Sequence, residues 1–420
     1  MARAYGSNAT LLLKRESAYG GRASGDYVRM PFNSCTLGSE QGLIDDPVLG
    51  QGRDPLAPLQ DAINDEGDIV VPVDPRYLGF WLTGLFGDPT SNAVAASGYI
   101  DFAMNPSDGD AITLGGAAWT FVSGAPTGNE TRIQTTATQT VNQLAADLNA
   151  SADADIVDAT YGRPAGAQRL LVTFDTAGAV GNAFTLAASA ATISGPALTG
   201  GGYSHVFASA ADVLPSYSIE VGMPRVPAFF MHSGVMLNSI ALEFQRSGAA
   251  AATVNAIAQG ETRNATSQGG TPTTLAFSRI SQFQGSITKA GQPVGNLTSG
   301  SLTYSNNLEK IETIRSDGLI EGADPTVAAL TGRIEVRFAD TTLIDAAAGG
   351  APVDLEFGYA VGSSKVLFTA HEVYLPKPKL AVDGPGGIQA SFDFQGARNE
   401  AAGRMLTVTL INDLDGTEYA

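Results

Sequence analysis

The sequence predicts a mainly β chain in which one β unit is present twice and a small α+β segment interrupts the first copy. Three observations carry this. Gly 49 and Pro 21 in 420 residues, with repeated Val/Ile/Thr/Phe runs, describe many short strands and frequent reversals. The segment GVMLNSIALEFQRSGAAAATVNAIAQG (234–260) has a counterpart in HEVYLPKPKLAVDGPGGIQASFDFQG (371–396). Between 93 and 203 the composition shifts to Ala, Gly, Thr and Ser, with only Arg132, Arg163 and Arg169 as bases.

In chain order, residues 9–13 (ATLLL) read as a strand, and 26–37 as another, with Tyr27, Val28, Met30 and Phe32 as its apolar content. Residues 45–68, rich in Pro, Asp and Glu, read as loop, and 69–73 as a strand. Tyr77, Phe80, Trp81 and Leu85, with Leu78 as a further candidate, repeat at helical spacing until Gly87 and Pro89, which predicts a short amphipathic helix. Inside the interruption, 98–102, 111–114, 118–122, 169–174 and 183–188 read as strands. Residues 138–150 form a helix with Val141, Leu144, Ala145 and Leu148 on one face. Small residues at both ends mark a domain inserted into a loop. Strands resume at 216–221, 229–244 and 251–259, and a second long β stretch covers 278–411. The expected division is 1–92 with 204–265, then 93–203, then 266–420.

The two long segments align at a constant offset of 138. Val235 meets Val373, Leu237 meets Leu375, Leu242 meets Leu380, Gly248 meets Gly386, and Val254 and Ala256 meet Phe392 and Phe394. Apolar parity changes partway along each: Val235 and Leu237 are odd, Ile240, Leu242 and Phe244 even. Side chains alternate across a strand, so a parity change predicts a bulge or crossover that swaps the buried face. The expected points are Asn238-Ser239 and the run Pro376-Lys377-Pro378-Lys379. Residues 33–37, Asp54-Pro55 and the strand 68–73 pair more loosely with 299–303, Asp324-Pro325 and 332–338.

Composition also excludes. The formal charge of −18 disfavours gripping a phosphate backbone. The single cysteine, Cys35, permits no internal disulfide and reads as a small core residue. No apolar run is long enough to span a bilayer, and residues 11–16 (LLLKRE) do not read as a secretion leader. His205, His232 and His371 form no metal-binding pattern, no Gly run carries the Lys-Ser/Thr of a phosphate loop, and no nucleophile elbow occurs. The expectation is therefore no catalytic residue, no cofactor and no metal. The acidic stretch 61–68 lacks calcium-loop spacing and reads as a solvated loop. The Asn-x-Thr matches at Asn8, Asn129 and Asn264 read as chance without a secretion leader.

The chain resembles tail tube proteins of long-tailed bacteriophages. The resemblance rests on AYGSNATLLLKRESAYG (4–20), VPVDPRYLGFWLTGLFG (71–87), YSHVF (203–207) and 214–260, including FFMHSGVMLNSIALEFQRSG; 301–412 is similar in character. The interruption, with NPSDGDAITLGGAAWTF and AGAVGNAFTLAAS, resembles a small α+β module of phage tail proteins. The resemblance implies a β-sandwich or barrel with a long hairpin and one flanking helix, which the offset-138 repeat makes a duplicated one. It implies a structural virion protein, assembled in the host cytoplasm, whose rings stack into a hollow tube for genome DNA. Hairpins would line the channel, the inserted module would lie outside, and partners would be other copies plus tape measure, terminator and tip proteins. Six tube domains are common per ring, so two per chain implies trimers with pseudo-sixfold symmetry; a hexamer is the alternative. Alternation then nominates Glu243, Gln245, Asn255, Asp383, Ser391, Asp393 and Gln395 as lumen-facing, on a face whose cationic exception is Lys379. The rival readings are another capsid or baseplate protein, or a surface β protein using 93–203 to bind a ligand.

Overall fold

The apolar run at 11–13 becomes part of strand β1 (Thr10–Arg15) in the computed structural model, which describes residues 3–49, 52–164, 167–338, 341–379 and 387–419. The first half continues with β2 (Ser34–Cys35), β3 (Gly38–Ile44), β4 (Leu59–Pro72), α1 (Leu78–Phe86), β5 (Tyr217–Met223), β6 (Ala228–Phe244), β7 (Ala251–Ala258) and β8 (Gly260–Asn264). The second half comprises β9 (Gly285–Lys289), β10 (Leu297–Ser305), β11 (Ala329–Arg337), α2 (Thr342–Gly349), β12 (Val353–Val361), β13 (Ser364–Tyr374), β14 (Gln389–Gly396) and β15 (Leu406–Asn412).

The antiparallel connectivity of the halves is the same. In the first, β1 pairs with β5, β5 with β6, β6 with β7 and β8, β7 with β4, and β4 with β2 and β3. In the second, β9 pairs with β12, β12 with β13, β13 with β14 and β15, β14 with β11, and β11 with β10. A helix follows β4 in one half and β11 in the other.

Register repeats as well. Tyr217 opposes Val235 and Val353 opposes Val373, after which pairing jumps to Ile219–His232 and Leu355–Ala370. The residues skipped, Ser233-Gly234 and His371-Glu372, stand at the offset of 138. For β4 and β11 the offset is 265: Ile69 opposes Val254 and Cys35, as Ile334 opposes Phe392 and Gly300. The looser sequence pairing of 33–37 with 299–303 was therefore one residue out of step.

The face switch in β6 has two parts. Up to Val235 the strand pairs with β5 and β8; from Met236 it pairs with β7 and then β10. Gly234, at the first jump, has φ +61, a backbone state open to glycine at no Cβ cost. Its N–H donates to the buried Glu16 carboxylate at 3.0 Å. Asn238 is the second jump: Leu237 opposes Ala256 but Ser239 opposes Asn255. There the Asn238 amide donates to Asn255 Oδ1 at 3.1 Å, and its own oxygens accept from Leu308 and Asn306 N–H. The matching switch expected at Pro376–Lys379 runs into residues 380–386, outside the described residues, as do the pairings expected of Leu380 and Gly386.

Three expectations need correction. Residues 59–68 are not loop: they extend β4 and pair with β3 as a long exposed arm, because hairpin pairing outweighs the low strand preference of the acids. The predicted strand 26–37 is broken into Val28–Met30 and β2 by Pro31. Helix α1 is not amphipathic; all nine residues are buried, since both halves close over it. Tyr419 seals its N-terminal turn, the ring edge-on to Phe80 at 5.1 Å and directly over Gly79.

One hydrophobic cluster takes in both halves, with Phe86 stacked on Tyr304 (4.5 Å) and Phe244 on Tyr359 (4.7 Å). Residues 96–198 have a separate cluster, in which Val141, Leu144 and Leu148 of the helix Ala137–Asn149 pack with Trp119, Phe121 and Leu170. The strands leading in and out, Thr90–Val94 and Gly202–Ala208, pair with each other, so that Val94 opposes Gly202.

Candidate functional site

The halves meet strand to strand. Residues 239–244 of β6 pair with 305–300 of β10, so a continuous sheet runs β4–β7–β6–β10–β11–β14. Alternation sorts its two faces. On one face Val71, Ala252, Leu242, Leu302, Gly332 and Phe394 follow each other across six strands, and all but the glycine turn a side chain into the core. On the other, Val70, Thr253, Ala241, Thr303, Thr331 and Gln395 form the neighbouring row. The next rows are Glu243–Ser301–Arg333–Asp393 and Ser299–Glu335–Ser391. Nearly every residue of this face is short or polar.

The nominated residues converge on it. Glu243, Asp393 and Gln395 are exposed; Asn255 and Ser391 are half-buried. Asn255 donates to Asp68 Oδ1 at 2.8 Å, which adds Asp68 to the face. Gln245 is exposed just past the end of β6, and its amide donates to Glu243 Oε2 at 2.8 Å. Asp383 lies outside the described residues.

The family model described as "Phage tail tube protein" matches residues 6–396. The chain belongs to the phage tail tube protein family. It is a structural component of a virion tail, and a mainly β fold is what that family leads one to expect. No curated protein matches it.

Sequence reasoning missed what β10 and β11 bring to this tail tube face. The serines and threonine of SGSLTYS (299–305) alternate as clearly as the nominated residues; the signal was legible, but the seam that makes it relevant was not. Arg333 is a correction. Only Lys379 was expected to place a cation here, yet Arg333 sits mid-face and Arg337 ends the same strand opposite Gln389. Arg333 is fenced, however. Its Nε donates to Ser391 Oγ at 2.5 Å, with Glu335 at 3.2 Å and Asp393 at 3.8 Å. Asp68, Glu243, Glu335 and Asp393 outnumber the two guanidiniums, so the face stays acidic.

Several other titratable groups are engaged structurally. Of the acidic stretch, Asp65 is buried with both oxygens 3.0 Å from His232 Nδ1, and Lys310 holds Glu66 (2.8 Å) and Asn64 (2.6 Å). His205 is buried between Ser91 Oγ (2.8 Å) and Asn412 Oδ1 (3.1 Å), and burial pushes its pKa below the usual imidazole value. His371 contacts Thr407 Oγ1 at 2.7 Å; burial, then Arg404, lowers it too. Burial raises the half-buried Cys35 thiol, which disfavours the reactive thiolate.

Proposed function

We propose that this tail tube protein polymerises as stacked rings of three chains into the hollow tail tube, and that the polar face lines the channel through which genome DNA passes. Each chain supplies two tube domains: 1–92 with 204–265, and 266–420. The observation that carries this reading is the sheet across β6 and β10, which continues one polar face through both halves of a duplicated fold. Repeating it around an axis gives six quasi-equivalent hairpins from three chains and leaves no strand edge exposed at the wall.

The lining chemistry suits transit. Phosphates are gripped by accessible Lys or Arg. Here the nominated Glu243, Asp393 and Gln395 face water, and Arg333 is held by its neighbours. DNA then slides along short polar side chains and is repelled by the carboxylates. The segment 93–203 projects outside the wall, since its ends are paired with each other and its core is its own. The chain acts as structure, not catalyst; it meets tape measure, terminator and tip proteins during assembly in the host cytoplasm.

Cryo-electron microscopy of the assembled protein tests the reading. A tube with threefold rings and Glu243 and Asp393 facing its bore is expected. True sixfold rings with one chain per position, or this face turned outward, would overturn it.

A further inference from the structure

The seam inside the chain specifies a seam the single chain lacks. Strand β10 is paired on both sides, by β11 and by residues 239–244 of β6. Its counterpart in the first half, at the offset of 265, is the stretch 35–40. That stretch is paired on one side only: Cys35 opposes Ile69, Gly38 opposes Glu66 and Glu40 opposes Asn64. Among the described residues, no strand pairs with its outer edge, where Ser39 N–H donates to the Glu261 carboxylate of β8 at 3.3 Å. The counterpart of 239–244, at the offset of 138, begins at Lys377. Lys377 and Lys379 are exposed.

We propose that the outer edge of residues 35–40 receives the second hairpin of another copy of this chain, in the register of the internal seam, with Lys377 of that copy opposite Glu40. This rests on the ring reading above. The register follows from the two offsets. Ser239 opposes Ser305 in the chain, so Lys377 opposes Glu40 between chains. Ala241 opposes Thr303, so Lys379 opposes Gly38, whose partner in β4 is Glu66, already held by Lys310. A neutral serine pair within the chain thus becomes a lysine–glutamate pair between chains. Glu40, Lys377 and Lys379 make no hydrogen bond or ion pair among the described residues, which leaves their charges for a second copy. Pro376 and Pro378 add a reason for using charge. They lack the N–H that strand edges use to pair indiscriminately, so recognition at this end of the hairpin falls to side chains.

Cysteine pairing tests the register. Directly opposed antiparallel residues have Cα atoms about 4.5–5.5 Å apart, within disulfide reach. In a Cys35→Ser full-length chain, Glu40→Cys with Lys377→Cys should cross-link chains in oxidised, assembled tubes. The ladder on a non-reducing gel should stop at three chains, and neither single cysteine variant should give it. Ser239→Cys with Ser305→Cys is the control for folding and should close within one chain. Tubes that assemble and close the control, but give no 40–377 link, overturn this seam alone. A wild-type chain that never forms rings overturns the ring reading, and this seam with it. Charge reversal supplies a second readout. Lys377→Glu should raise the concentration needed for assembly about fivefold, within the range of an exposed ion pair. Adding Glu40→Lys should restore it to within about twofold; no rescue would overturn the contact.

Discussion

Glu16→Gln probes what fixes the face switch in β6. The Glu16 side chain is buried, 7 % exposed. One oxygen accepts from Gly20 N–H (3.0 Å) and Ser216 Oγ–H (2.8 Å), the other from Ser218 Oγ–H (2.8 Å) and Gly234 N–H (3.0 Å). Ser216 and Ser218 flank Tyr217, where the β5–β6 register jumps, and Gly234 is in the jump itself. An amide has the same shape but one acceptor. Whichever way it is flipped, its NH₂ meets one serine and one backbone N–H. The hydroxyl can turn to accept; the N–H cannot, and is left unsatisfied at about 1–3 kcal/mol. The two remaining charge-assisted bonds weaken by about 1 kcal/mol each. Relief of a buried charge offsets part of this, for a net loss of about 2–4 kcal/mol. Guanidinium unfolding of the unassembled chain should show a lower midpoint at unchanged m, and whichever of the Gly20 and Gly234 amides faces the NH₂ should lose hydrogen-exchange protection first. A variant within about 0.5 kcal/mol of wild type, the ordinary spread for surface changes, with Gly20 and Gly234 both still protected, would refute the carboxylate's role in holding the switch.

Other perturbations reach the duplication, the histidines and the interruption. A Cβ on Gly67 would collide with the backbone at Thr36, and one on Gly332 with that at Ser301, residues equivalent at the offset of 265. Gly67→Ala and Gly332→Ala should therefore each cost about 1–3 kcal/mol in a denaturant midpoint, whereas Gly349→Ala, in open space, should cost far less. His205 has a folded pKa below its unfolded value, so below about pH 6.5 the unfolded chain binds the extra proton first. Stability should fall as pH drops from about 6.5 toward the folded pKa. His205→Gln should flatten that slope, with His371 supplying the remainder. Replacing 95–201 by a short Gly-Ser link should leave tubes assembling in micrographs, since Val94 and Gly202 already face each other; loss of tubes would place inter-ring contacts in the segment.

The duplication was legible because strand register constrains apolar positions at every second residue. Val235 with Val373, and Val254 with Phe392, kept their spacing although almost no identity survives between the hairpins. The polar face was legible from alternation in β6, β7 and β14. The seam that doubles it was not, because pairing between β6 and β10 joins residues about sixty apart and leaves no local pattern. Arg333 was missed for the same reason: it reaches the face only through β10 and β11. The arm at 59–68 was misread because strand preference is mostly a packing preference, and an exposed hairpin has little packing to advertise. The buried α1 read as amphipathic because periodicity sees one apolar stripe; Leu82 and Phe86 on its other side are covered by elements distant in sequence.

In the proposed ring, carrying both tube domains in one chain separates two tasks that six separate subunits would combine. In a three-chain ring, half the wall seams close during folding, and only the other half bear the translational and rotational cost of association. The internal seam needs no partner selection, and its root is the neutral pair Ser239–Ser305. The seam between chains must reject wrong registers and premature strand addition, and the residues in its equivalent positions are Lys377 and Glu40. Charge placed there makes assembly salt-sensitive where folding is not. Raising ionic strength from about 0.05 to 0.5 M shortens the Debye length from roughly 14 Å to about 4 Å. The concentration needed for assembly should then rise several-fold, while the unfolding midpoint of the unassembled chain stays nearly constant. Salt-independent assembly, or a loss that Lys377→Ala does not abolish, would mean that the chains recognise one another elsewhere.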